Sequence, residues 1–165
     1  MKGKNIVLLT LAAGLVLLTS VATAHPSAKK QRVQITQTGP AYPGSVQKFK
    51  FVLFALSAGP LESDSGTVTG PGPANQRTVT RDGQPAQIVT WVSTQKGKHG
   101  SFVVRARIEH IDAGNGFHIG TGTWKLIRGT GAYAGATGGG RVANAFIDFG
   151  SRALSERWDG FLTLP

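Results

Sequence analysis

From residue 32 onward, apolar and polar residues alternate in short runs bounded by Gly, Pro, Asn or Asp, the pattern of half-buried β-strands. The runs are Arg32 to Thr38, Gln47 to Leu56, Gly66 to Gly70, Arg77 to Thr80, Gln87 to Thr94, Ser101 to Ile111, Phe117 to Ile127, Gly140 to Phe149 and Glu156 to Leu164. No window carries a helical stripe, and the nearest candidate, Ser151 to Arg157, is too short to be more than a turn. About eight strands at intervals near ten residues, joined by hairpin-length connections, predict an all-β antiparallel barrel, with a β-sandwich as the alternative. Glycine-rich corners allow a small sheet to curl, and closure leaves no unpaired edge.

Parity divides the faces. In Ser101 to Ile111, Phe102, Val104, Ala106 and Ile108 share one face, and Arg105, Arg107 and Glu109 the other, so the first set should line the core. In Gln47 to Leu56, Phe49, Phe51, Leu53 and Ala55 form one face, but Val52, Phe54 and Leu56 make the opposite face apolar as well. Such a strand is expected to be covered on both sides, by a loop, a terminus or a second subunit. Self-association through Val52 and Phe54 is the expectation taken here, which makes the protein a homo-oligomer. Ser57 to Gln76 is the longest irregular stretch and is expected to be a lid or rim loop with a weak strand at Thr67 to Thr69.

The first 24 residues have a different character. Lys2 and Lys4 precede an apolar run from Ile6 to Leu18, and Ala22-Thr23-Ala24 supplies a small-x-small cleavage site, the layout of a secretory signal peptide. A transmembrane anchor needs about 20 apolar residues, more than this run offers. Cleavage between Ala24 and His25 would leave residues 25–165 as a single domain of 141 residues with a net charge of +8, secreted or periplasmic and without a transmembrane segment. The chain contains no cysteine, so packing and backbone pairing alone must hold it, which fits a bacterial exported protein better than a small eukaryotic secreted one.

The most informative stretch runs from Gly120 to Gly140, GTGTWKLIRGTGAYAGATGGG. It reads as a strand, a tight glycine turn, a compact loop pinned by Tyr133, and a second strand. Gly129, Thr130, Gly131, Tyr133, Gly135 and Gly138 match the Gly-Thr-Gly-x-(Tyr/Phe)-x-Gly-x-x-Gly signature, and the stretch resembles that of dirigent proteins, allene oxide cyclases and exported bacterial proteins like them. The resemblance spans about 30 residues, from Gly116 to about Ala145, and Arg128 stands where those families usually have glycine. It implies an eight-stranded antiparallel calycin-like barrel, often oligomeric, whose lumen takes a small apolar ligand. It implies no reaction and transfers no catalytic residue.

Other chemistry is sparse. Gly129-x-Gly131-x-x-Ala134 satisfies a permissive dinucleotide fingerprint, but the glycines that follow would break the helix the fingerprint requires, and no cofactor is expected. His110, Asp112 and His118 are types that ligate metals, but as residues bordering a Gly-Asn-Gly turn they are read as hairpin polarity, so no metal site is assigned. His25 at a processed N-terminus has the groups of a copper chelate, with nothing else to support one. Glu109 is the catalytic candidate by position: on a lumenal face it would act as a base while Arg105 and Arg107 held an anion. The greater apolarity of the opposite face favours a solvated, salt-bridged exterior for these three. Trp91 and Trp124 are the aromatic candidates for a ligand pocket, with Trp158 beside them, although core packing is the default for such rings.

The chain carries 18 Lys and Arg against 8 Asp and Glu. That balance favours anionic partners, and export makes an envelope polymer a better fit than nucleic acid, for which no interleaving of basic and aromatic residues is found. Three functions follow: a non-catalytic exported barrel binding a small apolar ligand or partner, a lumenal cyclase or isomerase, and a cationic envelope-associated protein.

Overall fold

The computed structural model describes residues 28–39, 49–70, 73–147 and 154–165. The expected signal segment, His25, the two ends of the Gln47 and Gly140 runs and residues 151–153 of the candidate turn lie outside the described residues. The strands are β1 (Lys29–Gly39), β2 (Phe49–Ala55), β3 (Asp64–Thr69), β4 (Pro73–Arg81), β5 (Gln84–Gly97), β6 (Ser101–Asp112), β7 (Phe117–Gly129), β8 (Thr137–Ile147) and β9 (Leu154–Leu164).

These strands form one antiparallel sheet ordered β3-β2-β1-β9-β8-β7-β6-β5-β4, and a further β3–β5 pairing brings the ladder back on itself. One edge of β5 serves two partners: residues 84–91 pair with β4, whereas Thr94 to Gly97 pair with Thr69 to Gly66 of β3. Eight strands therefore make a ring, and β4 extends from it as one arm of a hairpin. That hairpin turns on Asp82 and Gly83, both at positive φ (47° and 78°), as a two-residue turn matched to strand twist demands. Because the ring closes through short, continuous pairings, most backbone donors and acceptors are satisfied without any disulfide.

The stretch from Ser57 to Gln76 is not one long loop. It contains β3 and the start of β4. Both strands are mostly polar; in β3 only Asp64 and Val68 are buried, so side-chain alternation announces it weakly. Its pairings with β2 and β5 hold it instead.

Inward-facing residues form a continuous apolar core, including Val33, Ile35, Phe51, Leu53, Val104, Ile108, Trp124, Val142, Trp158 and Leu162. On β6 the faces are as parity predicts, with Phe102, Val104, Ala106 and Ile108 buried and Arg105 and Arg107 exposed. On β2, Phe51 and Leu53 point inward, while Val52, Phe54 and Leu56 remain 37 %, 42 % and 45 % exposed.

The glycine corner occupies one end of the ring. Gly131–Tyr133 forms a single 3₁₀ turn, entered through Gly131 at φ 59°, and the Ala132 N–H donates to His99 O at 2.9 Å. Tyr133 is wholly buried against Phe102, with ring centroids 4.6 Å apart. Its hydroxyl donates to Asp64 Oδ2 at 2.8 Å, and the same carboxylate accepts the N–H groups of Lys98 and His99 at 2.8 and 3.4 Å. Asp64 begins β3, and Lys98 follows β5, so the corner sits on the seam where the ring closes. Burial works against ionisation of Asp64, but the donors from Tyr133, Lys98, Ser65 and His99 outweigh it and hold the carboxyl below its ordinary range. Burial, reinforced by that carboxylate, pushes the Tyr133 phenol far up.

Candidate functional site

The opposite end of the ring interior is polar. Strand register aligns His110 with Gly120, Gly120 with Asn144, Asn144 with Glu156, Glu156 with Gln37, and Gln37 with Phe51. Directly paired residues share a face. His110, Asn144, Glu156 and Gln37 are therefore one interior layer running across β6, β7, β8, β9 and β1. One pleat deeper, the corresponding layer is Ile108, Gly122, Val142, Trp158, Ile35 and Leu53. Gly120 makes the polar layer feasible, since a Cβ there would overlap both Asn144 and His110.

Burial without full pairing distinguishes this layer. Gln37, His110 and Asn144 are only 3 %, 7 % and 6 % exposed. Among the described residues, Gln37 Nε2, both His110 ring nitrogens and Asn144 Oδ1 have no hydrogen-bond partner, and neither does the buried indole N–H of Trp91. Buried polar groups are nearly always satisfied, because each one left unmet costs about 1–3 kcal/mol. An unmet cluster is therefore a site signal. Burial pulls the His110 imidazole below its ordinary value and His118 adds to this; the neighbouring Asn144 acts the other way, although their contact lacks hydrogen-bond geometry.

Glu156 is better supplied. Asn144 Nδ2 donates to Oε1 at 3.3 Å and Trp158 Nε1 to Oε2 at 3.0 Å. The residue is partly exposed, yet dense packing around its carboxyl raises the pKa, opposed by those two donors. Gln37, Phe49, Val68, Trp91, Glu156 and Trp158 are among the residues around a cavity of about 40 Å³. This is volume for a few water-sized groups, far smaller than a drug-sized pocket of ~300–1,000 Å³. The cavity thus fits the polar end of a ligand rather than an entire large one. Toward the ring end, His118 stacks on Phe146 at 4.9 Å, and His110 meets the same ring edge-on at 5.6 Å.

The residues singled out by sequence fall in different places. Trp91 lines the cavity. Trp124 belongs to the core, donating Nε1–H to Asp159 O at 3.3 Å and lying 5.9 Å from Trp158, centroid to centroid. Glu109 lies on the outer face, where Arg81 Nε and Nη2 donate to its carboxylate at 2.7 and 3.2 Å and hold its pKa down. Arg105 and Arg107 share that face and are exposed. These three do not meet the cavity, so the condition for a lumenal Glu109 base is not fulfilled. His110, Asp112 and His118 also part company: Asp112 is exposed and caps its turn through Gly114 N at 2.8 Å. No group of three or more His, Cys, Asp or Glu among the described residues is placed to hold a metal ion. Among these residues no helix is long and apolar enough to cross a membrane.

Gln37, Asn144 and Glu156 were not anticipated as site residues. Each continues, in phase, an alternation of buried apolar positions: Val33 and Ile35 before Gln37, Val142 and Phe146 around Asn144, Leu154 and Trp158 around Glu156. A polar residue at an apolar beat is the signal that marks them.

Comparison with protein-family models, with curated proteins and with solved structures finds no match for this chain.

Proposed function

We propose that this chain is an exported, dirigent-like barrel of the calycin kind that binds a small, mostly apolar molecule without transforming it. The bound molecule carries a hydrogen-bond acceptor and enters polar end first. The observation that carries the reading is the conjunction of the small cavity with donors unmet among the described residues, Gln37 Nε2 and the Trp91 indole N–H, on a wall that is apolar apart from Ser93 and Glu156. A carbonyl or ether oxygen placed there would meet donors already desolvated, while Phe49, Val68 and Trp158 enclose the adjoining carbon atoms. Glu156, whose pKa burial pushes upward against the Asn144 and Trp158 donors, supplies a further donor when protonated. The closed antiparallel ring and the glycine corner around Tyr133 support the family resemblance.

A second reading is favoured by Glu156 alone. A carboxyl whose burial favours its protonated form is suited to general-acid work, so a lumenal isomerase or cyclase would use Glu156 rather than Glu109.

Native mass spectrometry of the protein recovered from its own producing cells tests both. The binding reading expects a retained small molecule, present in the unaltered protein and lost from the Gln37→Leu/Trp91→Phe variant, and unchanged in mass after incubation with excess protein. Conversion of that molecule to a product by the unaltered protein, but not by Glu156→Gln, replaces the binding reading with the second. A ligand-free protein contradicts both.

A further inference from the structure

The outer face of the ring carries a second, independent feature. Arg105 and Arg107 on β6, Lys125 on β7 and Arg141 on β8 are all exposed. Their register is specific: Arg105 faces Lys125 directly, and one row along, Arg107 faces Thr123, which faces Arg141. Strands are about 4.8 Å apart and same-face residues about 6.8 Å apart along a strand. The four cations therefore spring from a patch of backbone only about 10 Å by 7 Å.

Neighbouring anions do not neutralise this patch. Glu109 is bonded to Arg81, and Asp159, opposite Arg141, is held by Arg157 Nε and Nη2 at 2.8 and 3.3 Å. Arg107 contributes to lowering the Glu109 pKa but makes no bond to it. Like charges placed directly opposite one another, as Arg105 and Lys125 are, weaken a sheet. Small residues lie between them: Thr121 and Thr123 beside Arg107, and Gly139 opposite Lys125. With Ile111 and Ile119 as apolar walls, Arg107, Thr121, Thr123 and the Arg81-bonded Glu109 border a surface depression of about 360 Å³ beside the patch. The face is thus both charged and open enough for approach.

We propose that this β6–β8 face docks an extended anionic polymer with repeating phosphate groups, of the kind an exported protein meets in a cell envelope. Guanidinium groups recognise phosphate through paired N–H donors, threonine hydroxyls add neutral donors, and cations in two adjacent rows suit a chain with successive charges. Among the described residues no exposed aromatic ring stands within this group of cations: Phe117 lies at the far end of β7, and Phe161, across Gly139 from Lys125 on β9, carries the Lys30 ammonium 4.3 Å over its ring, so a platform for stacking successive bases is not formed there. Docking here is independent of the interior cavity, which is lined from β1, β2, β3, β5 and β9 with only Ile108 from β6.

The test immobilises poly(glycerol phosphate) and measures binding of the full chain in about 100 mM salt, where screening acts over roughly 10 Å. Arg105→Gln/Lys125→Gln/Arg141→Gln is compared with a control of equal charge change at exposed positions elsewhere, Lys50→Gln/Arg77→Gln/Lys96→Gln. The expected result is at least a tenfold loss of affinity for the patch variant, roughly threefold or less for the control, and a shallower dependence on salt for the patch variant alone. Relief of like-charge crowding should leave its melting temperature unchanged or higher, separating lost docking from lost folding. Equal losses in both variants, absence of binding by the unaltered chain, or equally tight patch-dependent binding to single-stranded DNA or anionic vesicles would each overturn the proposal.

Discussion

Asn144 and Glu156 stand opposite each other across the β8–β9 ladder, inside the ring, with the amide Nδ2 of one donating to a carboxylate oxygen of the other at 3.3 Å. This contact satisfies half of the Asn144 amide and leaves Oδ1 without a partner among the described residues. It ties the titrating member of the polar layer to a residue one strand away. The layer is consequently a connected arrangement, and a change at either residue is felt by the other.

Glu156 should make stability depend on pH in an unusual direction for a carboxylate. Its folded pKa is raised above the ordinary 4.5, so the folded protein holds this proton more tightly than the unfolded chain. The resulting stabilisation is present below about 4.5 and is lost as pH rises through the folded value. Urea unfolding of the protein and of Glu156→Gln across pH 4 to 8 should show the advantage of the unaltered protein shrinking as pH increases. A constant difference would count against the assignment.

His110 should protonate at lower pH in the folded protein than an ordinary histidine does. Its folded pKa lies below 6.5 because burial disfavours the imidazolium. Stability linked to it is present above 6.5 and is lost as pH falls through the folded value. The ring-proton shift of His110, followed by NMR, should titrate with a midpoint below 6.5.

The seam predicts a separable pair of effects. Removing the hydroxyl in Tyr133→Phe should cost about 1–2 kcal/mol, the loss of one buried hydrogen bond with the remaining Asp64 donors retained. Asp64→Ala should cost more, about 3 kcal/mol or above, since it strands the phenol and the Lys98 and His99 N–H groups together. Because the Asp64 pKa is lowered from 3.8, its contribution is present above 3.8 and should disappear as pH falls through the folded value. Chemical denaturation of both variants at neutral and acid pH measures this.

Two glycines should respond unequally to alanine. At Gly129 a Cβ would overlap the Tyr133 backbone and side chain, so Gly129→Ala should displace the corner and destabilise by several kcal/mol. Gly83 is also restricted, at φ 78°, but nothing lies within 4 Å of a Cβ there. Gly83→Ala should therefore cost only about 1 kcal/mol, the strain of a left-handed residue. Thermal unfolding of the two variants provides the comparison.

Much of this architecture is legible in the chain because β6 keeps a regular alternation over Phe102 to Ile108 and glycines punctuate the runs on either side. Phe102 to Ile108 announce which side of β6 is buried, and Tyr133 among glycines announces a corner. Asp64 to Thr69 do not announce β3, since a strand held mainly by its ladder needs no apolar beat. The interior polar residues are visible singly, as Gln37, His110, Asn144 and Glu156 occupying apolar beats. Their convergence into one layer is not, because it depends on the register of four successive pairings, set by turns and by the irregularity between Val103 and Val104. Glu109 shows phase outranking residue type: its chemistry suits a base, but the apolar face opposite it already favours an exterior, and there it pairs with Arg81.

The interior layer is tested most directly by ¹H–¹⁵N NMR of the full chain titrated with 2-butanone, a small neutral acceptor with an apolar body. The Trp91 indole and Gln37 side-chain amide signals should move together and saturate, while the Trp124 indole, already bonded to the Asp159 carbonyl, stays in place. Stationary Trp91 and Gln37 signals, or movements confined to outward-facing residues, would contradict a ligand site inside the ring.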